Sequence, residues 1–124
     1  MKTARYFKDA EFRRCTPSCS IEDMEQDFLD LLDRIRETAG IPLLLTCAYR
    51  SVAYDKSKGR SGKGAHTYGC AVDIRCNADS TRYKIITAAL KCGVKRIGIG
   101  NGFVHIDNCT RAQGLSENVI WTYY

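Results

Sequence analysis

No apolar run in this 124-residue chain approaches the roughly 18 residues that a membrane helix requires, so no membrane insertion is expected. The opening stretch, MKTARYFKDAEFRRC, carries charge throughout and has no apolar core of a secretory leader. The expectation is therefore a chain without a signal peptide, made in the cytoplasm. Internal repeats, low-complexity segments and linkers are absent as well. That leaves one domain spanning residues 1–124 as the expected organisation. Histidine is scarce: His66 and His105 are the only two.

What is present looks like an ordinary globule. An apolar fraction of 44% with 27% charged residues excludes a disordered, collagen-like or coiled-coil chain. The net charge is +5, a modest excess that suits approach to an anionic polymer, either nucleic acid or cell wall. The basic residues are dispersed (Arg13, Arg14, Lys56, Lys58, Arg60, Lys63, Lys91, Lys95, Arg96) and read as solvated surface. The basic loop Lys56–Lys63 has only Tyr54 and Tyr68 as flanking stacking platforms and no nucleic-acid motif, so no nucleic-acid partner is expected. Seven cysteines are an odd number, and no export signal precedes them. They read as reduced thiols, several of them small core residues, Cys47 and Cys92 included. Cys15-x3-Cys19 has the look of half a zinc site, but no second half with matching spacing exists.

Periodicity outlines the elements. Ser20 caps a first helix with acids in its first turn, and Met24, Phe28, Leu31, Leu32 and Ile35 follow at three- and four-residue steps. Gly40 ends it and Pro42 blocks continuation. Leu43–Ala48 reads as a buried strand. Residues 51–69, with Gly59, Gly62, Gly64 and Gly69, read as a long functional loop. A short strand follows over Ala71–Cys76. A second helix, capped at Asp79-Ser80, runs to about Lys91 with Ile85, Ile86, Ala89 and Leu90 facing the core. Strands near Arg96–Ile99, Phe103–Asp107 and the tail 119–124 complete an α+β pattern without a βαβ repeat.

Both histidines sit in distinctive contexts: Gly64-Ala65-His66-Thr67-Tyr68-Gly69-Cys70-Ala71-Val72-Asp73-Ile74 and Phe103-Val104-His105-Ile106-Asp107. A metal shared by His66 and Asp73 needs donors about 2 Å from the ion. Seven residues span roughly 23 Å of strand or about 10 Å of helix, so a turn must intervene, and Gly69 is placed to make it. A third ligand, His105, would leave one position for water, the pattern of catalytic zinc sites. A lone histidine is usually structural or exposed, but Asp73 inside an apolar strand needs a partner.

These stretches resemble the zinc peptidases of the M15 family, the D-Ala-D-Ala carboxypeptidase type. His66, Gly69, Ala71, Asp73 and Ile74 follow that family's S-x-H-x-x-G-x-A-x-D-I pattern. Phe103–Asp107 is similar to its second metal motif and Ala48-Tyr49-Arg50-Ser51 to its upstream S-G-Y-R-S motif. Gly98-Ile99-Gly100 and Trp121 also fit. The resemblance implies a hedgehog/DD-peptidase-like fold, a mainly antiparallel sheet with two main helices. It implies one Zn2+ per chain on His66, Asp73 and His105. It gives Arg50 the role of gripping a substrate carboxylate or carbonyl. It implies a monomer that hydrolyses peptidoglycan stem peptides, as a D-Ala-D-Ala carboxypeptidase or an endolysin-like L-Ala-D-Glu endopeptidase. Such an enzyme would act at the bacterial cell wall after release.

Two departures stand out. The acid that many relatives carry three residues before the second histidine is Gly102 here. Asp107 is the available carboxylate, either as general base or as a partner orienting a ligand. The serine two residues before His66 is Gly64, for which Ser61 or Thr67 is a candidate substitute. Tyr49, Tyr54, Tyr68 and Trp121 are candidates for lining a substrate groove. The alternative is a non-catalytic zinc-containing module of the same fold, as in hedgehog signalling domains.

Overall fold

Strand alternation divides this molecule into an apolar side and a chemical side. The computed structural model describes residues 1–124. Its helices are α1 (Asp9–Arg13), α2 (Gln26–Ala39), α3 (Val52–Ser57) and α4 (Asp79–Lys91). Its strands are β1 (Leu45–Cys47), β2 (Ala71–Arg75), β3 (Arg96–Ile99), β4 (Phe103–Asp107) and β5 (Val119–Thr122). The strands form one sheet in the order β1-β2-β4-β3-β5, antiparallel throughout except for the parallel pair β3 and β5. This is the expected α+β architecture, with α2 and α4 as the two main helices.

Successive strand residues point to opposite faces. Val72, Ile74, Val104, Ile106 and Ile97 are fully buried on one face and join Phe28, Leu32, Ile35, Ile85 and Ala89 in a single core. Helix α2 packs on α4, and α4 packs on β4. The other face carries Asp73, His105 and Asp107.

The first helix departs from its expected start. Ser20 does act as a cap, accepting from the Glu22 amide at 3.2 Å while its own amide donates to Asp23 Oδ2 at 2.9 Å. That reciprocal pair closes a 3-10 turn over Ile21–Asp23. The backbone then extends through Met24, which is buried, and helix α2 begins only at Gln26. The break has a use: the Glu25 amide donates to the Gly69 carbonyl at 2.8 Å, tying the helix entrance to the turn before β2. Helix α4 begins at Asp79 after Ala78, without a side-chain cap. Ile85 and Ala89 face the core as expected, joined by Ala88, whereas Leu90 is 52% exposed. The loop 51–69 is partly helical, holding α3 and a 3-10 turn over Ala65–Tyr68. Buried Asp55 organises it by accepting from the Gly62 amide at 3.0 Å. Helices α1 and α3 are too short for a hydrophobic period to announce them.

Gly69 makes the turn that the His66–Asp73 spacing demands. Its φ is +71°, and a Cβ there would lie 2.5 Å from the Asp23 carbonyl oxygen. Gly69→Ala is therefore expected to cost roughly 2–4 kcal/mol, from left-handed strain together with the backbone clash. Denaturant unfolding measures this, and a loss under about 1 kcal/mol would refute the close approach as described.

Candidate metal centre

The site is one crosswise row of the sheet. Cys47 on β1 pairs with Asp73 on β2, Asp73 with His105 on β4, His105 with Gly98 on β3, and Gly98 with Trp121 on β5. A register shift between Leu45 and Cys47 re-aims β1, so that Cys47 lies opposite Asp73. His66 joins from outside the sheet, carried by the 3-10 turn that Gly69 ends.

The donors converge on Asp73. His66 Nε2 lies 3.3 Å from Asp73 Oδ1, and His105 Nδ1 lies 3.0 Å from the same oxygen. The two imidazoles meet nearly edge to face, with ring centres 5.0 Å apart. The far nitrogen of each ring is anchored. His66 Nδ1 donates to the Ala48 carbonyl and has Cys47 Sγ at 3.7 Å. His105 Nε2 donates to Asp107 Oδ2 at 2.6 Å. These anchors fix the tautomers so that each inward nitrogen can present a lone pair. Two imidazole nitrogens and a carboxylate oxygen match zinc's preferred ligand types. The three residues expected to share a metal are therefore brought together around Asp73 Oδ1, while the group whose ligand atoms all lie within 4.8 Å of one another is Cys47, His66 and Asp73.

Asp107 is fully buried and heavily engaged. Its Oδ1 accepts from Arg96 Nε at 2.7 Å and from the Cys109 amide at 3.0 Å, while Oδ2 holds His105. Arg96 is not the solvated surface residue that its place among the dispersed charges predicts: it is 9% exposed. Its guanidinium also donates to the Ser116 carbonyl and stacks over the Trp121 ring at 4.8 Å. No periodic signal marks a buried arginine in a short strand, whereas the strand alternation that pairs it with Asp107 becomes visible once the register is known.

Trp121 lies against His105, ring centres 5.4 Å apart, and Tyr123 lies 6.2 Å from Trp121. Both rings occupy space that exists because Gly98 has no side chain: a Cβ there would meet Tyr123 at 2.7 Å and Trp121 at 2.8 Å. Tyr123 was not singled out from the sequence. Arg50 follows β1, its amide donates to the His66 carbonyl at 3.1 Å, and its charge bears on the Tyr123 phenol. Tyr68 stands on the same turn as His66, its hydroxyl 3.5 Å from the Gln113 carbonyl. Tyr49 packs against the core, and Tyr54 faces Lys58.

Neither candidate substitute for the missing serine reaches the centre. The Thr67 hydroxyl donates to the Gly64 carbonyl at 2.6 Å, and Ser61 Oγ accepts from the Lys63 amide in an exposed loop. Cys47, expected as a core residue without chemistry, is buried but borders the centre: its sulfur, a His66 nitrogen and an Asp73 oxygen lie within 4.8 Å of one another. Cys92, also expected in the core, is only half-buried beside Thr38. Cys15 and Cys19 direct their thiols to the backbone carbonyls of Glu11 and Phe12.

The chain belongs to the peptidase M15 family: residues 5–107 match the family model described as Peptidase M15. Among solved structures, the crystal structure of the Serratia marcescens L-Ala D-Glu endopeptidase ChiX is similar, with a TM-score of 0.56 at 15% identity. The match covers 92% of this chain and 96% of that one, and at that identity it speaks for the fold. No curated protein matches the chain by sequence. No helix is long and apolar enough to cross a membrane.

The electrostatics of the metal-free protein follow from the geometry. Burial opposes a charged His66, but its contacts with Asp73 and Cys47 outweigh burial and raise its pKa to about 9. Burial likewise opposes a charged His105, yet Asp107 and Asp73 hold it above its ordinary value. Burial opposes an ionised Asp73, and the two imidazoles nevertheless bring its carboxyl far below the usual range. A histidine whose folded pKa is raised contributes stability below its unfolded value of 6.5, and that contribution is lost as pH rises through about 9. Asp73 works in the opposite sense, contributing above its unfolded value of 3.8 and losing that contribution as pH falls. In excess chelator, the melting temperature is expected to fall as pH rises from 6.5 to 9, with the slope reduced in His66→Gln. A flat profile across that interval in the parent chain would refute the pairing.

Proposed function

We propose that this protein is a zinc-dependent peptidase acting on the stem peptides of peptidoglycan. The observation that carries the reading is the approach of His66 Nε2 and His105 Nδ1 to the same oxygen of Asp73, with the outer nitrogen of each ring anchored. His66, Asp73 and His105 would hold the zinc. When bound there, it supplies Lewis-acid polarisation of a scissile carbonyl and acidifies a water.

The remaining roles belong to the chain's own side chains. Arg50 offers a planar fork for a peptide carboxylate or carbonyl. Trp121 supplies an apolar wall beside His105, and Tyr68 borders the His66 turn. For Asp107 the orienting role fits better than the base role, because the carboxylate is fully buried and both oxygens are engaged. It keeps the proton on His105 Nε2 and so leaves Nδ1 free to donate its lone pair. The mild positive charge suits an anionic wall polymer.

A second reading, a zinc-holding module without hydrolysis, is favoured by one feature. Asp73 and Asp107 are the two carboxylates in the ring of contacts around the histidines, and both are committed. The two readings part on one preparation. Zinc per chain is measured, the protein is incubated with peptidoglycan, and released fragments are read by mass spectrometry. The peptidase is expected to carry about one zinc and to release new amino termini or free D-Ala. New termini would identify an L-Ala-D-Glu endopeptidase and free D-Ala a carboxypeptidase. Full zinc without any cleavage would establish the module, and no zinc after reconstitution would overturn the ligand assignment.

Asp107→Asn tests the orienting role. An amide nitrogen facing His105 Nε2 favours the wrong tautomer, so zinc affinity is expected to fall about 10–100-fold. Competition with a chromophoric chelator measures this, and unchanged affinity with lost hydrolysis would restore Asp107 as the base.

A further inference from the structure

Cys70 and Cys109 lie outside the row that carries Asp73 and His105. Each follows a histidine by four residues, Cys70 after His66 and Cys109 after His105. Cys70 stands between Gly69 and the start of β2, and Cys109 lies just beyond the end of β4. Both are buried, 4% and 3% exposed. The backbone fixes their approach: the Asn108 amide donates to the Cys70 carbonyl at 3.2 Å, and the Cys109 amide donates to Asp107 Oδ1 at 3.0 Å. The two sulfur atoms are 2.6 Å apart. The two buried thiols are therefore in direct contact.

We propose that Cys70 and Cys109 form a disulfide site, closed in an oxidising compartment, that staples the segment bearing His66 to the strand end bearing His105. Two S–H bonds break and one S–S bond forms. The two electrons pass to a low-molecular-weight disulfide of the oxidised glutathione class, whose own S–S bond breaks into two thiols that take up the two protons. The contact with Cys70 and burial hold the Cys109 thiol above the ordinary cysteine range. The inference departs from the expectation of seven reduced thiols. It depends on neither the metal nor the peptidase reading.

The bond joins residues 39 apart in sequence, a loop long enough to restrict the unfolded chain substantially. The rise in melting temperature is expected to be on the order of 10 °C. The test equilibrates the full chain, in chelator throughout, with glutathione either fully reduced or fully oxidised. Free thiols are then blocked in acid-quenched samples, and non-reducing digests are mapped by mass spectrometry. A linked Cys70–Cys109 peptide pair, with a higher melting temperature in the oxidised sample than in the reduced one, is the expected result. The difference should vanish in Cys109→Ser, and the peptide map of the parent chain stands even if that variant fails to fold. Both cysteines blocked as free thiols in fully oxidised glutathione, or scrambled pairings, would overturn the proposal. A closed bond without a rise in melting temperature would overturn the stapling.

Discussion

An ionised carboxylate at the centre of a sheet is tolerated only when charge of the opposite sign surrounds it. Asp73 is that carboxylate, flanked in its row by Cys47 and His105 and faced by His66. Much of the surrounding architecture serves to bring those partners in. The break between the 3-10 turn and α2 frees the Glu25 amide to hold Gly69. Gly69 turns the chain so that His66 folds back over the strand it precedes. The sheet's opposite face can then be apolar where the helices pack on it, because the charges of the central strands are sorted to one side by strand alternation.

The second histidine is held by a longer chain of contacts. Arg96 and the Cys109 amide fix Asp107, Asp107 fixes His105 Nε2, and the indole of Trp121 packs between Arg96 and His105. Each link lies on β3, β4 or β5, or just beyond them, so the parallel addition of β5 to the sheet is part of the centre's construction. Gly98 makes this possible, since any side chain in its place would displace the aromatic rings that cover the row. A buried arginine paired with a buried aspartate adds little to stability compared with an apolar pair. Its value lies in orientation: removing either partner would leave a charge unpaired beside the histidine.

The pattern of residues made part of this legible in advance. His66-x6-Asp73 with a glycine between them demanded a turn, and Phe103–Asp107 alternated as a strand, because spacing and period are local properties. The strand order, the pairing of Cys47 with Asp73 and the burial of Arg96 are not local. They depend on register, and the register of β1 depends on an irregularity at Thr46 that no composition signal marks. Asp107 shows the same division. Its placement on His105's face followed from a two-residue step along a strand, but the choice between base and orienting group required knowing that Arg96 and the Cys109 amide occupy its second oxygen.

The charges of the cluster also find partners within the chain. Asp73 and Asp107 bring two negative charges, and Arg96 brings one positive charge. Against burial, Asp73 and Cys47 raise the His66 pKa to about 9, and Asp107 and Asp73 hold His105 above its ordinary value, so the carboxylates favour the charged form of both rings. A divalent ion held by the two imidazoles would compete with the protons on them. Under the proposed zinc reading, metal uptake would be an exchange of protons for a cation, and Asp73 would keep partners of opposite charge throughout. The two outer anchors, the Ala48 carbonyl and Asp107, would then decide which ring nitrogens face the ion.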